Sequence, residues 1–118
     1  MKPVLARGLE DLLAQAAAAA RLVARGKAAY DADEMLRYAA EDLLLRLGEC
    51  ARRVERADPA FPQAHPEVEL RRLIYSRNVV AHGYDMVDHE IVWAILATNI
   101  PALAAAAQAA LAAEADDE

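Results

Sequence analysis

The spacing of apolar residues predicts a chain of amphipathic helices. From Leu5 to Val23 apolar residues recur every three or four positions, which predicts a first helix of about six turns that ends at Gly26. Asp31 or Asp33 can cap a second helix, which ends at the Asp58-Pro59 dipeptide. Its apolar seam alternates steps of four and three residues, as in a helical bundle, and consists of Leu36, Ala40, Leu43, Leu47, Cys50 and Val54.

Proline and glycine positions predict where the later helices begin and end. Residues 59–66 contain three prolines, which predicts a loop, and Pro66 suits the first turn of a third helix running to about Ala81. Gly83 then supplies a left-handed position that commonly closes a helix.

The last part of the chain is predicted to form two further helices. Asp88 is a plausible cap for a fourth helix that continues through Leu96. Pro101 must kink or interrupt that helix, because it lacks a backbone donor and clashes with the preceding turn. A short fifth helix is expected from Ala102 to Ala113.

Composition supports an all-α fold in one domain. The 118 residues include thirty alanines but only six Phe, Trp or Tyr, so the core must consist of Leu and Val, with helices approaching closely over small side chains. We expect an up-and-down antiparallel bundle of four long helices plus a short C-terminal helix. It should occupy residues 1–118 as a single domain, with an acidic tail at about 114–118.

Charge and cysteine content bound the setting. Thirteen basic and nineteen acidic residues give a net charge of −6, which argues against a protein that coats nucleic acid by bulk attraction. A locally basic site is still possible, because arginines cluster at 52–56 and at 71–77. Cys50 is alone, the N-terminus does not look like a signal peptide, and no apolar stretch is long enough to span a bilayer, so we expect a cytoplasmic protein without membrane contact.

The segment from Arg77 to Tyr84 concentrates the reactive groups of this chain. Arg77 is a permanent cation that can hold a phosphate with two hydrogen bonds, and His82 can accept or donate a proton near neutral pH. Asn78 could touch the phosphate, orient His82 or cap a turn. A phosphodiester fits this set, and RNA fits it best because its 2′-OH is a built-in nucleophile that needs only a base, an acid and a cation.

Helix geometry does not place these groups on one face. Residues five apart lie about 140° from each other on an unbroken helix. The helix can unwind just before Gly83 and redirect His82, a second copy of the chain can complete the cleft across a two-fold axis, or both can operate. Arg77 also falls on an apolar stripe, where a guanidinium needs a partner. Glu49, which follows Gly48 on the second helix, is the candidate partner or a possible catalytic base.

These residues resemble the R-x4-H-x-Y signature of the HEPN superfamily, in its HepT-like toxin branch. The resemblance extends over residues 45–49 and 85–103, and so covers roughly residues 36 to 103. It implies an HEPN-like fold and a homodimeric, metal-independent ribonuclease without a cofactor, cutting an RNA such as tRNA or mRNA as an endo- or exoribonuclease. Arg77 and His82 would be catalytic at the dimer interface, supported by Asn78 and Glu49.

The resemblance also implies a partner. Toxins of this HepT/MntA-type, type VII-like toxin–antitoxin pair are neutralised by a minimal nucleotidyltransferase antitoxin, which transfers AMP to the motif tyrosine, here Tyr84. A bulky anionic group two residues from His82 should block a phosphate cleft by charge and volume. The alternative is a non-catalytic, nucleotide-binding or scaffolding HEPN partner of such a nucleotidyltransferase.

The remaining polar residues favour structural roles. His65 lies in the Pro-rich stretch and is expected to be exposed to solvent. His89 and Glu90, with Asp85 and Asp88, lack the spacing of a known metal site, and capping by Asp88 explains more. Trp93 is expected in the core or at a dimer interface.

Overall fold

The computed structural model describes the backbone of residues 1–82 and 87–116 and the side chains of residues 1–76 and 87–114. Throughout these ranges the regular structure is helical and contains no β-strand, which confirms the all-α prediction. The helices are α1 (Pro3–Val23), α2 (Lys27–Ala32), α3 (Glu34–Ala57), α4 (Phe61–Ala64), α5 (Leu70–His82), α6 (His89–Ala94) and α7 (Ile100–Asp116).

Helix α3 lies at the centre of the bundle. It packs along its length against α1 on one side and α5 on the other, and α7 returns along α1. The helices alternate in direction, because Gly8 near the start of α1 meets Val54 near the end of α3, and Arg71 near the start of α5 meets Glu55. The up-and-down arrangement is therefore as predicted.

The core is built mainly from leucine, valine and alanine, as the composition indicates. Gly8 is one reason that α1 and α3 approach closely, since a Cβ at this position would come within 3.1 Å of Val54 Cγ2. Two aromatic rings, Tyr30 and Phe61, are also fully buried. Both belong to short helices that the apolar periodicity did not reveal.

The turn between α1 and α3 contains the first of these short helices. Gly26 has a φ of 92°, a left-handed conformation that side chains rarely adopt, and α2 begins at the next residue. Asp33 then caps α3, because its side chain accepts a hydrogen bond of 2.9 Å from the Met35 amide. Of the two caps predicted for the long helix, Asp33 is the one used.

The prediction of a structureless loop at residues 59–66 is wrong. Phe61–Ala64 forms one helical turn and Pro66–Val68 forms a 3₁₀ turn, each with a proline in its first two positions. Glu69 follows with a φ of 52°, so the long helix α5 begins at Leu70 and not at Pro66. The turns exist because Phe61 and Val68 are fully buried and hold the connection on the core.

His65 is not a solvent-exposed loop residue, contrary to the expectation. Only 17% of its side chain is exposed, and its ring stacks on Phe61 with centroids 4.6 Å apart. Its Nε2 atom is 3.0 Å from Glu114 Oε1, and its Nδ1 atom is 3.4 Å from Glu67 Oε1. His65 therefore ties the α3–α5 connection to the end of α7.

Asp88 caps α6 as predicted, accepting hydrogen bonds from the amides of Glu90 and Ile91. Pro101 does not end the helix, because the chain passes from α6 into α7 through a π turn at Ile95–Asn99; the predicted separate fifth helix from Ala102 to Ala113 is therefore wrong. The Ile100 amide bonds to the Ile95 carbonyl, five residues back, which widens the helix just before the proline. The result is a continuous helical run from α6 through α7 rather than two separate helices.

This run, His89–Glu114, is long and apolar enough to cross a membrane by length and composition alone. The expectation that no such stretch exists is therefore wrong. One face of the run is part of the core, through Leu96, Ile100 and Leu103, and 28% of its apolar window is buried. A single helix of this length and composition is weak evidence for a membrane span.

Replacing the α6 cap should destabilise the protein. Asp88→Ala removes the acceptor for two amides at the first turn of the run that closes the bundle. We expect a loss of about 1 kcal/mol in the free energy of unfolding, measured by urea denaturation. Asp88→Asn, which retains a side-chain oxygen, is the control and should lose much less. Equal stability of the wild type and Asp88→Ala would contradict this role.

Candidate functional site

The signature residues lie at the C-terminal end of α5. The backbones of Arg77, Asn78 and His82 belong to its last turns, and their side chains lie outside the described residues. Gly83 and Tyr84 also lie outside the described residues, so the left-handed closure and the modification site stay predictions.

The bounds of α5 bear on how the site is assembled. The helix continues through His82. Positions five residues apart on a continuous helix lie about 140° from each other. Completion of the site by a second copy stays a prediction.

The packing of α5 on α3 gives the axial level of the backbone at position 77 in the bundle. Arg71 Nε lies 3.4 Å from Glu55 Oε2, which gives the register of the two antiparallel helices. Position 77 is six residues after Arg71 on α5, and Glu49 is six residues before Glu55 on α3. Because the two helices are antiparallel, the backbones of positions 77 and 49 lie at the same level. On the described part of α5, Leu70 and Leu73 face the core and are 2% and 3% exposed.

Glu49 is half-buried on α3, with its Oε1 atom 3.9 Å from Arg56 Nη1. The preceding Gly48 is also buried. The register is consistent with an ion pair between Glu49 and Arg77, but that pair stays a prediction.

The two arginine clusters are less basic than the sequence suggests. Arg56, Arg71 and Arg72 each have a carboxylate oxygen within 4 Å, on Glu49, Glu55 and Glu69. The three arginine side chains are 65–76% exposed, and such surface pairs contribute about 0–1 kcal/mol each. A phosphate could therefore replace these carboxylates at little cost.

A long apolar groove runs between α5 and the α6–α7 run. It has a volume of about 560 Å³ and is lined on both sides by apolar residues. Tyr75 and Ile91 line it while remaining 68% and 58% exposed. Ser76, the residue before Arg77, lines the same groove, so the groove follows the signature helix. Its floor and far end are formed by Leu44, Leu73, Val92, Ile95, Ile100 and Leu103.

A polar cluster that sequence reasoning missed lies where α6 begins. Tyr30 donates a 2.8 Å hydrogen bond to the His89 carbonyl, and its ring lies 4.9 Å from that of Trp93. Glu41 is buried, with Oε1 3.6 Å from His89 Nδ1. The only signal in the sequence was Glu41 at an apolar-facing position of α3, four residues from Leu45 and three from Leu44.

Electrostatics in this cluster favour a neutral phenol and a fixed α6. Burial, together with the nearby Glu41 carboxylate, raises the pKa of Tyr30 to about 12, so it remains a hydrogen-bond donor at physiological pH. Lys27 bonds to both Asp31 and Glu90, which joins α2 to α6, and these bonds raise its pKa. Trp93 is half-buried against Tyr30, in agreement with its expected packing role.

Comparison with known families decides the assignment of the chain. The family model described as "Ribonuclease HepT-like" matches residues 12–110. The chain belongs to the HepT-like ribonuclease family. The match confirms the resemblance drawn from the R-x4-H-x-Y segment, which lies inside the matched range. No curated protein and no solved structure matches this HepT-like chain.

The family name indicates a ribonuclease but does not specify the type of RNA cleavage for this chain. Among the described side chains, no three His, Cys, Asp or Glu residues are grouped as metal ligands. The lone Cys50 of this HepT-like chain is buried, and burial raises the pKa of its thiol. Cys50 is therefore a poor nucleophile here.

Proposed function

We propose that this HepT-like protein is a metal-independent ribonuclease toxin whose site is completed by a second copy of the chain. The observation that carries the proposal is the family match over residues 12–110, which contains Arg77, His82 and Tyr84 in their signature spacing. The position of Arg77 and His82 on one continuous helix supports the composite site, because positions five residues apart on such a helix lie about 140° from each other.

The chemistry follows from RNA itself. A base removes the 2′-OH proton, the 2′-oxygen bonds to phosphorus, and the bond from phosphorus to the 5′-oxygen breaks as an acid protonates that oxygen. The products are a 2′,3′-cyclic phosphate and a 5′-hydroxyl. Arg77 would neutralise the phosphorane, and His82 would carry one of the two protons. Asn78 and Glu49 would support Arg77, His82 or the phosphate.

The groove beside α5 supports dimer formation on the signature side. Tyr75 and Ile91 are large apolar groups exposed at the edges of an apolar channel, so the surface offers both projections and a recess. In a two-fold interface the same residues of both subunits become buried, so each such residue contributes two buried side chains to the dimer. Burying an exposed Ile side chain contributes about 1.5–3 kcal/mol, so two copies of Ile91 and Tyr75 could stabilise a homodimer.

The substrate class is RNA, such as a tRNA or mRNA, held by a few local contacts. A net charge of −6 disfavours attraction of long nucleic acid as a whole. Exposed arginines could instead contact RNA phosphates at the end of the bundle where α3 ends and α5 begins, away from His82; they are Arg53, Arg56, Arg71 and Arg72. We place the activity in the cytoplasm, where RNA is abundant.

The proposed partner is a minimal nucleotidyltransferase antitoxin that transfers AMP to Tyr84. The phenolic oxygen would attack the α-phosphorus of ATP, release pyrophosphate and give up its proton. The added phosphate would carry negative charge two residues from His82, where it would repel the RNA phosphate.

Expression of the chain alone should arrest bacterial growth, and the purified protein should cleave RNA in the presence of EDTA. His82→Ala should abolish both effects, because it removes a proton carrier while leaving Arg77 in place. Gel analysis of RNA and growth curves measure these outcomes, and thermal melting checks that the variant is folded. Cleavage that disappears in EDTA would contradict the metal-independent mechanism. Tight nucleotide binding without RNA cleavage at any protein concentration would favour the non-catalytic alternative.

Tyr84→Phe should prevent neutralisation while leaving toxicity intact, because it removes the acceptor oxygen and little else. Co-expression with the nucleotidyltransferase should rescue growth of cells carrying the wild type and fail to rescue those carrying Tyr84→Phe. Tyr38→Phe is the matched control, since Tyr38 is an exposed tyrosine on α3. Mass spectrometry should find AMP on the wild type and on Tyr38→Phe. AMP on Tyr84→Phe at the wild-type level would refute this acceptor.

A further inference from the structure

We propose that His89, oriented by the buried carboxylate of Glu41, is a second proton-transfer group for RNA cleavage. This inference rests on the proposed ribonuclease function and deepens it. It assigns the second of the two proton transfers to a residue outside the R-x4-H-x-Y signature. It therefore competes with the arrangement in which two symmetry-related copies of His82 act as base and acid.

The reaction needs two proton carriers, and the chain has three histidines. His65 is unsuitable, because carboxylate oxygens lie within 3.4 Å of both ring nitrogens and its ring stacks on Phe61. It also lies beside Glu114, at the end of the bundle where α3 ends and α5 begins. His82 and His89 belong to the opposite end, where α5 ends and α6 begins.

The surroundings of His89 resemble a histidine–carboxylate pair. Its Nδ1 atom is buried and has no hydrogen-bond partner among the described residues, and Glu41 Oε1 lies 3.6 Å from it. Glu41 is only 9% exposed, so its charge is poorly screened. A small side-chain adjustment would let Nδ1–H donate to Glu41. The same pairing directs the lone pair of Nε2 away from Glu41, and 40% of the His89 side chain is exposed.

The register of the bundle places His89 near the level of His82. With Arg71 level with Glu55, the backbone of His82 is level with position 44 of α3. Glu41, which contacts His89, is three residues away, an axial offset of about 4.5 Å. Ser76 and Asp88, the residues just before Arg77 and His89, line one groove.

The neighbouring groups hold His89 in place and set its charge environment. The Tyr30 hydroxyl donates to the His89 carbonyl, and Asp88 caps the helix that His89 begins. Lys27 binds Glu90 on the adjacent position of α6. From α3, Arg37 donates to the Tyr30 and Asp31 carbonyls, and Glu41 faces the imidazole. These contacts hold the backbone of His89, so a substitution of its side chain should leave the position of α6 unchanged.

The test compares His89→Gln and Glu41→Gln with the wild type in steady-state cleavage of a short RNA across pH 5 to 9. His89→Gln should lower kcat by about 100-fold or more with little change in KM, and should remove one limb of the pH–rate profile. Glu41→Gln, a change in a positioning residue, should lower kcat less and leave KM unchanged. ¹⁵N NMR of the wild type should show the proton of neutral His89 on Nδ1, a result independent of activity.

The outcomes separate this inference from the proposed function. A wild type that cleaves RNA, with His89→Gln retaining its rate and the shape of its pH profile, overturns the role of His89 and leaves the ribonuclease in place. A neutral His89 with its proton on Nε2 also overturns the pairing with Glu41. A wild type that cleaves no RNA under any condition overturns the proposed function itself. If His89→Gln does not fold, Glu41→Gln and the NMR measurement decide the assignment.

Discussion

The antiparallel packing of α5 on α3 is the constraint on which the functional half of this protein depends. It sets the backbone of position 77 level with Glu49, and α5 is helical through His82. On such a continuous helix, positions five residues apart lie about 140° from each other. The same packing leaves α5 separated from the α6–α7 run by an apolar groove, where a second copy could supply what one protomer lacks.

Elements with strong apolar periodicity could be predicted from the sequence, and short elements could not. Helices α1 and α3 bury one regular face each, so the spacing of their leucines was sufficient. Helices α2 and α4 have only six and four residues. Each places one aromatic side chain in the core, Tyr30 from α2 and Phe61 from α4. A disturbance of the helix before Pro101 could be predicted from the missing amide, but the π turn through which the helix continues past it could not.

The candidate site shows the same division. The signature residues were recognisable because their spacing is local, and the family match includes them. The pairing of Glu41 with His89 joins positions 48 residues apart, and the burial of His65 depends on Glu114, which is 49 residues away. No local pattern reports such contacts. The sequence predicts a solvent-exposed His65 and a His89 beside a helix cap, and only the packing of α6 and α7 shows the carboxylates near their rings.

The central claim, a ribonuclease site completed across the groove, is tested most directly by measuring mass and activity together. Ile91→Glu puts a charge into the apolar groove, and Val4→Glu puts one on an equally exposed apolar residue of α1, away from it. Sedimentation equilibrium should show that the wild type and Val4→Glu are dimers, and both should cleave RNA. Ile91→Glu should be a monomer that no longer cleaves RNA. A monomeric Ile91→Glu that cleaves RNA at the wild-type rate would contradict the composite site.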